Sequence, residues 1–310
     1  MLNIKNIINI SCIKFKKVPW GQNKIMKKHI VLMFIAILVA SSIGVSQEID
    51  NNGIKKDTNQ EIQTTTMDFT HTVLAEYATT TWCPNCPTAS EALYELFSTD
   101  SIPFYYVTLI SDVNPNARNR SWFGYFNVVI PSVYFDGGNE FYIGNAGSVP
   151  ATADAYAEII EEMGARTDIK DIDLETSVSW DEDAEMTVTV TITNNDDSFY
   201  LGFIKSYVTE IESRWDDFSG NPYHYGFLSF AINKFITLKP QETKTITAQW
   251  DGKEDHDGLT FEDIVQNNIV VQSAIFQWIP HLTKGYDELP SYTQRFLGFY
   301  LDQATATVPL

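Results

Sequence analysis

The stretch VLAEYATTTWCPNCPTASEALYELF, residues 73–97, decides the reading of this chain. It opens on an apolar run, passes through three threonines and a tryptophan, places Cys83 and Cys86 three positions apart, and continues into a segment whose Ala89, Ala92, Leu93, Leu96 and Phe97 recur at the three-and-four spacing of one helical face. The pattern is a buried strand, a short loop and a helix, with the cysteine pair where loop becomes helix. Only one other cysteine, Cys12, exists in 310 residues. The pair therefore needs a chemical or structural account of its own.

Three accounts compete. A disulfide that only staples the chain is usual in exported proteins, but a closed loop of about four residues stabilises by roughly 2 kcal/mol in the chain-entropy view, against about 4.7 for a hundred-residue loop. A metal site needs a second pair of ligands, and His71, His224, His256 and His281 are scattered along the sequence, so no metal and no other cofactor is expected. The third account is a reactive dithiol. Unpaired N–H groups at a helix start favour a thiolate on an exposed Cys83, and Cys86, one turn further in, then resolves the mixed disulfide. Glu76, near the end of the strand, is a candidate proton acceptor for Cys86, the alternative being that it points to solvent. Trp82 is a candidate docking surface, or a packed loop aromatic.

The compartment fits redox chemistry. Residues 1–46 hold seven lysines and no acid and run into the apolar IVLMFIAILVA of residues 30–40, a secretory signal pattern, with Met26 a possible true start. The apolar run is shorter than the roughly 20 residues of a spanning helix, so cleavage near Ser46 and an extracytoplasmic location are expected, an uncleaved anchor being the alternative. Without those lysines the formal net charge moves from −19 to −26, which argues against nucleic-acid or anionic-membrane partners.

Residues 47–67 are polar and aperiodic, a flexible linker. From residue 68 the pattern alternates strand and helix: a strand at 104–110, a helix with an aromatic face at NARNRSWFGYFN, two short strands around a Gly-Gly turn in IPSVYFDGGNEFYIG, and an amphipathic helix at 151–163. Beyond Thr167 the period becomes two, as in EMTVTVTIT and KTITAQW, with strand candidates at 201–211, 269–276 and 296–308. These features predict an α/β domain over 68–166 and an all-β sandwich of seven or eight strands over 167–310, each folding by itself. The aromatic NPYHYGFLSF reads as strand core or as a partner surface.

A C-x-x-C after a strand and before a helix, with the isolated Pro131 of VIPSVYF heading a later strand, resembles the thioredoxin superfamily over about a third of the chain. That resemblance implies a cis bond before Pro131 and a substrate that pairs with the backbone of Ile130. Within the superfamily, EYATTTWCPNCP is similar to the outer-membrane-protein-28-related branch, where a thioredoxin-like unit precedes an immunoglobulin-like sandwich; Thr80 stands where relatives often have glycine. The expected function is an exported thiol–disulfide oxidoreductase, reductase or isomerase, acting through Cys-Pro-Asn-Cys on disulfides of exported proteins, with a possible membrane redox partner. The competing class is a cell-surface or secreted binding or adhesion protein in which the thioredoxin-like unit is vestigial.

Overall fold

Strand β1 (Val73–Thr79) is buried at all seven positions, as a strand covered on both faces must be. Around it the computed structural model, which describes residues 69–283 and 295–309, assembles a mixed α/β fold. The signal and linker segments of the sequence analysis lie outside the described residues. β1 runs parallel to β2 (Phe104–Ile110) and antiparallel to β3 (Ser132–Phe135), which turns back into β4 (Glu140–Ile143). Gly137 makes that turn: its φ is +73°, and a Cβ there would stand 1.9 Å from the Phe299 carbonyl oxygen, so both conformation and close approach require glycine.

Three helices flank these strands. α1 (Cys86–Ser98) buries Ala89, Ala92 and Leu93 on one face and carries a proline in its first turn, where a missing N–H is harmless. α2 (Pro115–Tyr125) is capped by Asn114, whose side-chain oxygen accepts from the Asn116 amide at 2.9 Å. The same side chain donates to the carbonyls of Phe227 and Leu228 at 2.6 and 2.9 Å, so the cap also pins the helix to a distant strand. α3 (Val149–Gly164) is capped by Ser148. The aromatic face expected for α2 is mostly outside the core: Tyr125 is buried, whereas Trp122 and Phe123 are exposed.

The β-rich region begins with β5 (Ile172–Glu182) and β6 (Glu185–Asn194), continues through the long hairpin β7 (Tyr200–Asp216) and β8 (Pro222–Leu238), and proceeds to β9 (Thr243–Asp251) and β10 (Ile269–Gln277). Two short strands, β11 (His281–Leu282) and β12 (Leu297–Gly298), precede the last, β13 (Leu301–Thr307). The order β5-β6-β9 forms a three-stranded antiparallel sheet with the alternation its sequence predicts. Met186, Val188, Val190 and Ile192 face inward, and on the wet face Thr189–Thr247, Thr191–Thr245 and Thr193–Thr243 pair hydroxyl to hydroxyl across strands.

The other long strands pack one face against the three-stranded sheet around a shared apolar core. They extend the α/β sheet into one of eight strands, ordered β13-β10-β7-β8-β2-β1-β3-β4. The join is the parallel bridge Thr108 to Gly226, reinforced by the Thr108 hydroxyl donating to the His224 carbonyl at 2.6 Å. No boundary falls near residue 167: the described residues belong to one compact unit. The change of period marks a change of layer, from helices to a three-stranded sheet, over a shared sheet. Trp215 shows this directly, packing against the core beneath the helices and against the core beneath the small sheet.

A buried ionic cluster ties the ends together. Asp136 accepts from His71 at 2.7 Å and from Arg166 at 2.9 Å, and Arg166 also donates to the Leu301 carbonyl. A fragment ending at residue 165 lacks Arg166 and uncovers Leu74, Val107 and Leu109, which pack against Tyr207 and Phe227. It is therefore expected to show no cooperative thermal transition by circular dichroism, while the full chain unfolds in one step. A separate, reversible melt of that fragment would contradict the shared core.

Candidate functional site

The loop that carries the cysteines leaves the end of β1 and is held from several sides. The Asp112 carboxylate accepts from the Thr81 amide at 3.0 Å and from its hydroxyl at 2.5 Å. The Tyr223 hydroxyl donates to the Thr80 carbonyl at 3.0 Å and bonds the Thr79 hydroxyl at 2.8 Å. Thr80 has no positive φ, so its backbone conformation does not require glycine. Further on, Tyr77 donates from its hydroxyl to the Cys86 carbonyl at 2.8 Å, and the Asn145 amide donates to the Asn85 carbonyl at 3.0 Å. Burial raises the Tyr77 phenol well above its ordinary range and pushes Tyr223 up to about 12, so both stay protonated and able to donate.

Cys83 and Cys86 are joined in a disulfide, with sulfurs 2.13 Å and Cα atoms 5.4 Å apart. The helix begins at Cys86, so Cys83 stands before the first turn rather than within it. Neither sulfur-bearing residue is open: Cys83 is 3% exposed and Cys86 0%, against 63% for the adjacent Trp82. The expectation of an exposed Cys83 is thus corrected. Its side chain turns into the apolar cluster with Tyr77 and Ala89, and the tryptophan takes the surface position.

Ile130 packs against the same cluster, and the Ile130–Pro131 peptide bond is cis, as the resemblance implies. β3 starts immediately after, with Ser132 beside Ala78, so Pro131 sits at the end of β1 from which the cysteine loop departs. No hydrogen bond among the described residues uses the Ile130 backbone. The structure therefore gathers Cys83, Cys86, Trp82, Ile130 and Pro131 at one end of the sheet.

Glu76 is not among them. Successive residues of a strand face opposite ways, so Tyr77 meets the cysteine cluster and Glu76 points through the other face of the sheet. There its carboxylate, 0% exposed, receives Arg120 in a fork, Nε to Oε1 at 2.7 Å and Nη2 to Oε2 at 2.5 Å. The hydroxyls of Tyr207, at 3.0 Å, and Tyr125 complete its acceptor set. Burial, the largest influence, opposes the Arg120 charge, but Glu76 together with Tyr125 and Tyr207 holds the guanidinium well above its ordinary value. A role as proton acceptor for Cys86 is ruled out by direction, and neither does the carboxylate reach solvent. The signal was available in the strand pattern, since Glu76 and Tyr77 cannot share a face.

The residues that the sequence reading left unassigned here are Asp112, Asn145 and Tyr223. Tyr223 lies in the aromatic segment NPYHYGFLSF, of which Tyr223, Phe227 and Leu228 are buried core, not a partner surface. Among the described residues no group of three or more His, Cys, Asp or Glu is arranged to hold a metal ion, and no helix is long and apolar enough to cross a membrane.

Neither a protein-family model nor a curated protein sequence matches the chain. Among solved structures it is similar to HBP35 of Porphyromonas gingivalis, with 12% identity, 78% of this chain and 76% of that chain covered, and a TM-score of 0.56. A protein of Agrobacterium tumefaciens is matched at 13% identity over 77% of this chain and 94% of that one, with a TM-score of 0.37, which carries no argument. The first likeness is one of fold alone.

Proposed function

We propose that this chain is an exported thiol–disulfide oxidoreductase of thioredoxin-like architecture over residues 68–166, with an immunoglobulin-like arrangement of its β-rich region, acting on disulfides of exported proteins. The observation that carries the reading is the placing of the Cys83–Cys86 disulfide beside an unused Ile130 backbone and an exposed Trp82. A staple has no use for an unpaired backbone edge next to it; a substrate strand does.

In the reducing direction the reduced dithiol acts. The Cys83 thiolate attacks a substrate disulfide, forms a mixed disulfide and releases one substrate thiolate. Cys86, deprotonated, attacks the Cys83 sulfur, releases the second substrate thiol and restores the Cys83–Cys86 disulfide, so two electrons pass to the substrate. A membrane redox partner or a soluble dithiol then resupplies them. Since Cys83 is 3% exposed, the segment around Trp82 and Pro84 must shift for a substrate sulfur to reach it. With Cys86 fully enclosed, Cys83 is the sulfur nearer to solvent and keeps the attacking role.

The burial of both sulfurs is also the observation that favours the other reading, a surface binding or adhesion protein in which the disulfide is a fixed clasp. Reduction of insulin by dithiothreitol separates the two. The proposal expects catalysed precipitation that Cys83→Ser abolishes; a rate no faster than dithiothreitol alone would favour the binding protein.

A further inference from the structure

On the face of the sheet away from the dithiol, a cavity of about 400 Å³ lies between α2 and strands β7, β8 and β10. Its walls include Phe203, Phe230, Phe276 and Phe299, and two cations, Lys205 and Arg120, line it as well. The volume is that of a site for a small molecule.

The two cations differ in what already occupies them. Arg120 spends Nε and Nη2 on Glu76 and Tyr125, but no hydrogen bond of the described residues uses Nη1. Gly124, one helical turn on, leaves room for that nitrogen: a Cβ at position 124 would stand 2.4 Å from Nη1. Lys205 donates to the Asn233 side-chain oxygen at 2.8 Å and lies 5.3 Å from the centre of the Phe230 ring, and no ion pair among the described residues includes it. Glu76 neutralises one of the two charges. Asp257, also on the cavity wall, accepts from Asn119. An unused guanidinium nitrogen and an ammonium without a carboxylate partner therefore adjoin an aromatic-walled space.

From this arrangement we infer that the cavity takes a small monocarboxylate with an apolar, aryl-sized body, its carboxylate between Lys205 and Arg120 Nη1 and its body against the phenylalanines. Burial of an apolar body supplies affinity, and the carboxylate supplies a counter-charge for Lys205, which has no ion pair among the described residues. A neutral ligand of the same shape would leave the Lys205 charge uncompensated.

The charge state of the empty site supports the assignment. Desolvation first, and then repulsion from Arg120, push the Lys205 amine down to about 7, with Glu76 acting the other way. The titratable groups around it are Arg120 and Glu76, which neutralise each other, Tyr125 and Tyr207, whose hydroxyls burial keeps protonated, and Asp257. A carboxylate ligand stabilises the ammonium form. Its binding must take up a proton above pH of about 7, and its affinity must fall as the pH rises.

The test is calorimetric titration of the full chain with 3-phenylpropionate and with its uncharged amide, at about pH 6 and about pH 8.5. The acid is expected to bind with a Kd of about 1 mM or tighter at the lower pH and about tenfold more weakly at the higher, while the amide is weaker and insensitive to pH. Lys205→Met should weaken the acid about tenfold at the lower pH and leave the amide unchanged, a contrast that a merely misfolded variant could not give. Equal binding of acid and amide, an acid affinity that Lys205→Met does not alter, or no binding of the acid at all overturns the inference. None of these outcomes bears on the dithiol, which lies across the sheet.

Discussion

Glu76→Leu is expected to lower the free energy of unfolding by about 3–5 kcal/mol, because it leaves Arg120 buried without its counter-charge. Four donor groups converge on this carboxylate, two from Arg120 and one each from Tyr125 and Tyr207. In the variant Arg120 Nε and the Tyr207 hydroxyl lose their acceptor, Nη2 keeps only the Tyr125 oxygen, and the guanidinium stays enclosed, its side chain only 12% exposed. At roughly 2–4 °C per kcal/mol for a domain of this size, the midpoint of thermal unfolding falls by about 10 °C. The double variant Glu76→Leu/Arg120→Met should recover a large part of the loss, since it removes both charges together. Equal instability of the single and double variants, measured by urea unfolding, would show that packing around β1 and not the ion pair sets the cost.

The same residue illustrates what the sequence conceals. That a strand near 72–77 leads into the cysteine loop and a helix follows it was legible from apolar spacing, and the Gly-Gly hairpin from its turn residues. So was the alternation of β6 and β9. The acid at position 76 was open to two readings, buried or facing solvent, and its partner was not legible: Arg120 lies 44 positions on and Tyr207 131 positions on, and no local pattern links them. The single sheet was hidden for a related reason. A change of hydrophobic period reports which layer covers a strand, not whether its edge ends there, and a junction made by one parallel bridge between Thr108 and Gly226 leaves almost no trace in composition. The dithiol site was legible because its residues are close in sequence or carry a motif. The burial of Cys83 was not, since it follows from the way Trp82 and Cys83 divide the surface and the interior between them.

The second large effect concerns covalent trapping. Cys86→Ser is expected to accumulate disulfide-linked adducts with exported proteins, whereas Cys83→Ser accumulates few or none. The first variant keeps the outer sulfur and loses the one that resolves the mixed disulfide; the second keeps only a sulfur that is fully enclosed. Expression of both variants, acid quenching, alkylation and comparison of reducing with non-reducing gels reads the difference directly. Similar behaviour of the two would overturn the assigned order of attack. A complete lack of adducts from Cys86→Ser, together with no activity on insulin, would leave the clasp of a binding protein as the better account. Trp82→Ala makes a useful companion: if the tryptophan shields Cys83, its removal should speed alkylation of the reduced Cys83 several-fold without changing the midpoint of thermal unfolding by more than a degree or two.

The join between β2 and β8 also bears on the order in which the molecule can be finished. A polypeptide is made from its N-terminus, so the cysteine pair and helices α1, α2 and α3 are available long before β8, β10 and β13 exist. Yet β2 reaches its far neighbour only when residue 226 has been made, and Arg166 finds the Leu301 carbonyl only when residue 301 has been made. Until then the edge of β2 is an unpaired template and Leu74, Val107 and Leu109 have no cover. Such late, long-range closure is slow to nucleate. The nascent chain therefore passes through a period in which its cysteines are accessible to other thiols while its sheet is open along one side, and it depends on being kept from its neighbours until the last strand arrives.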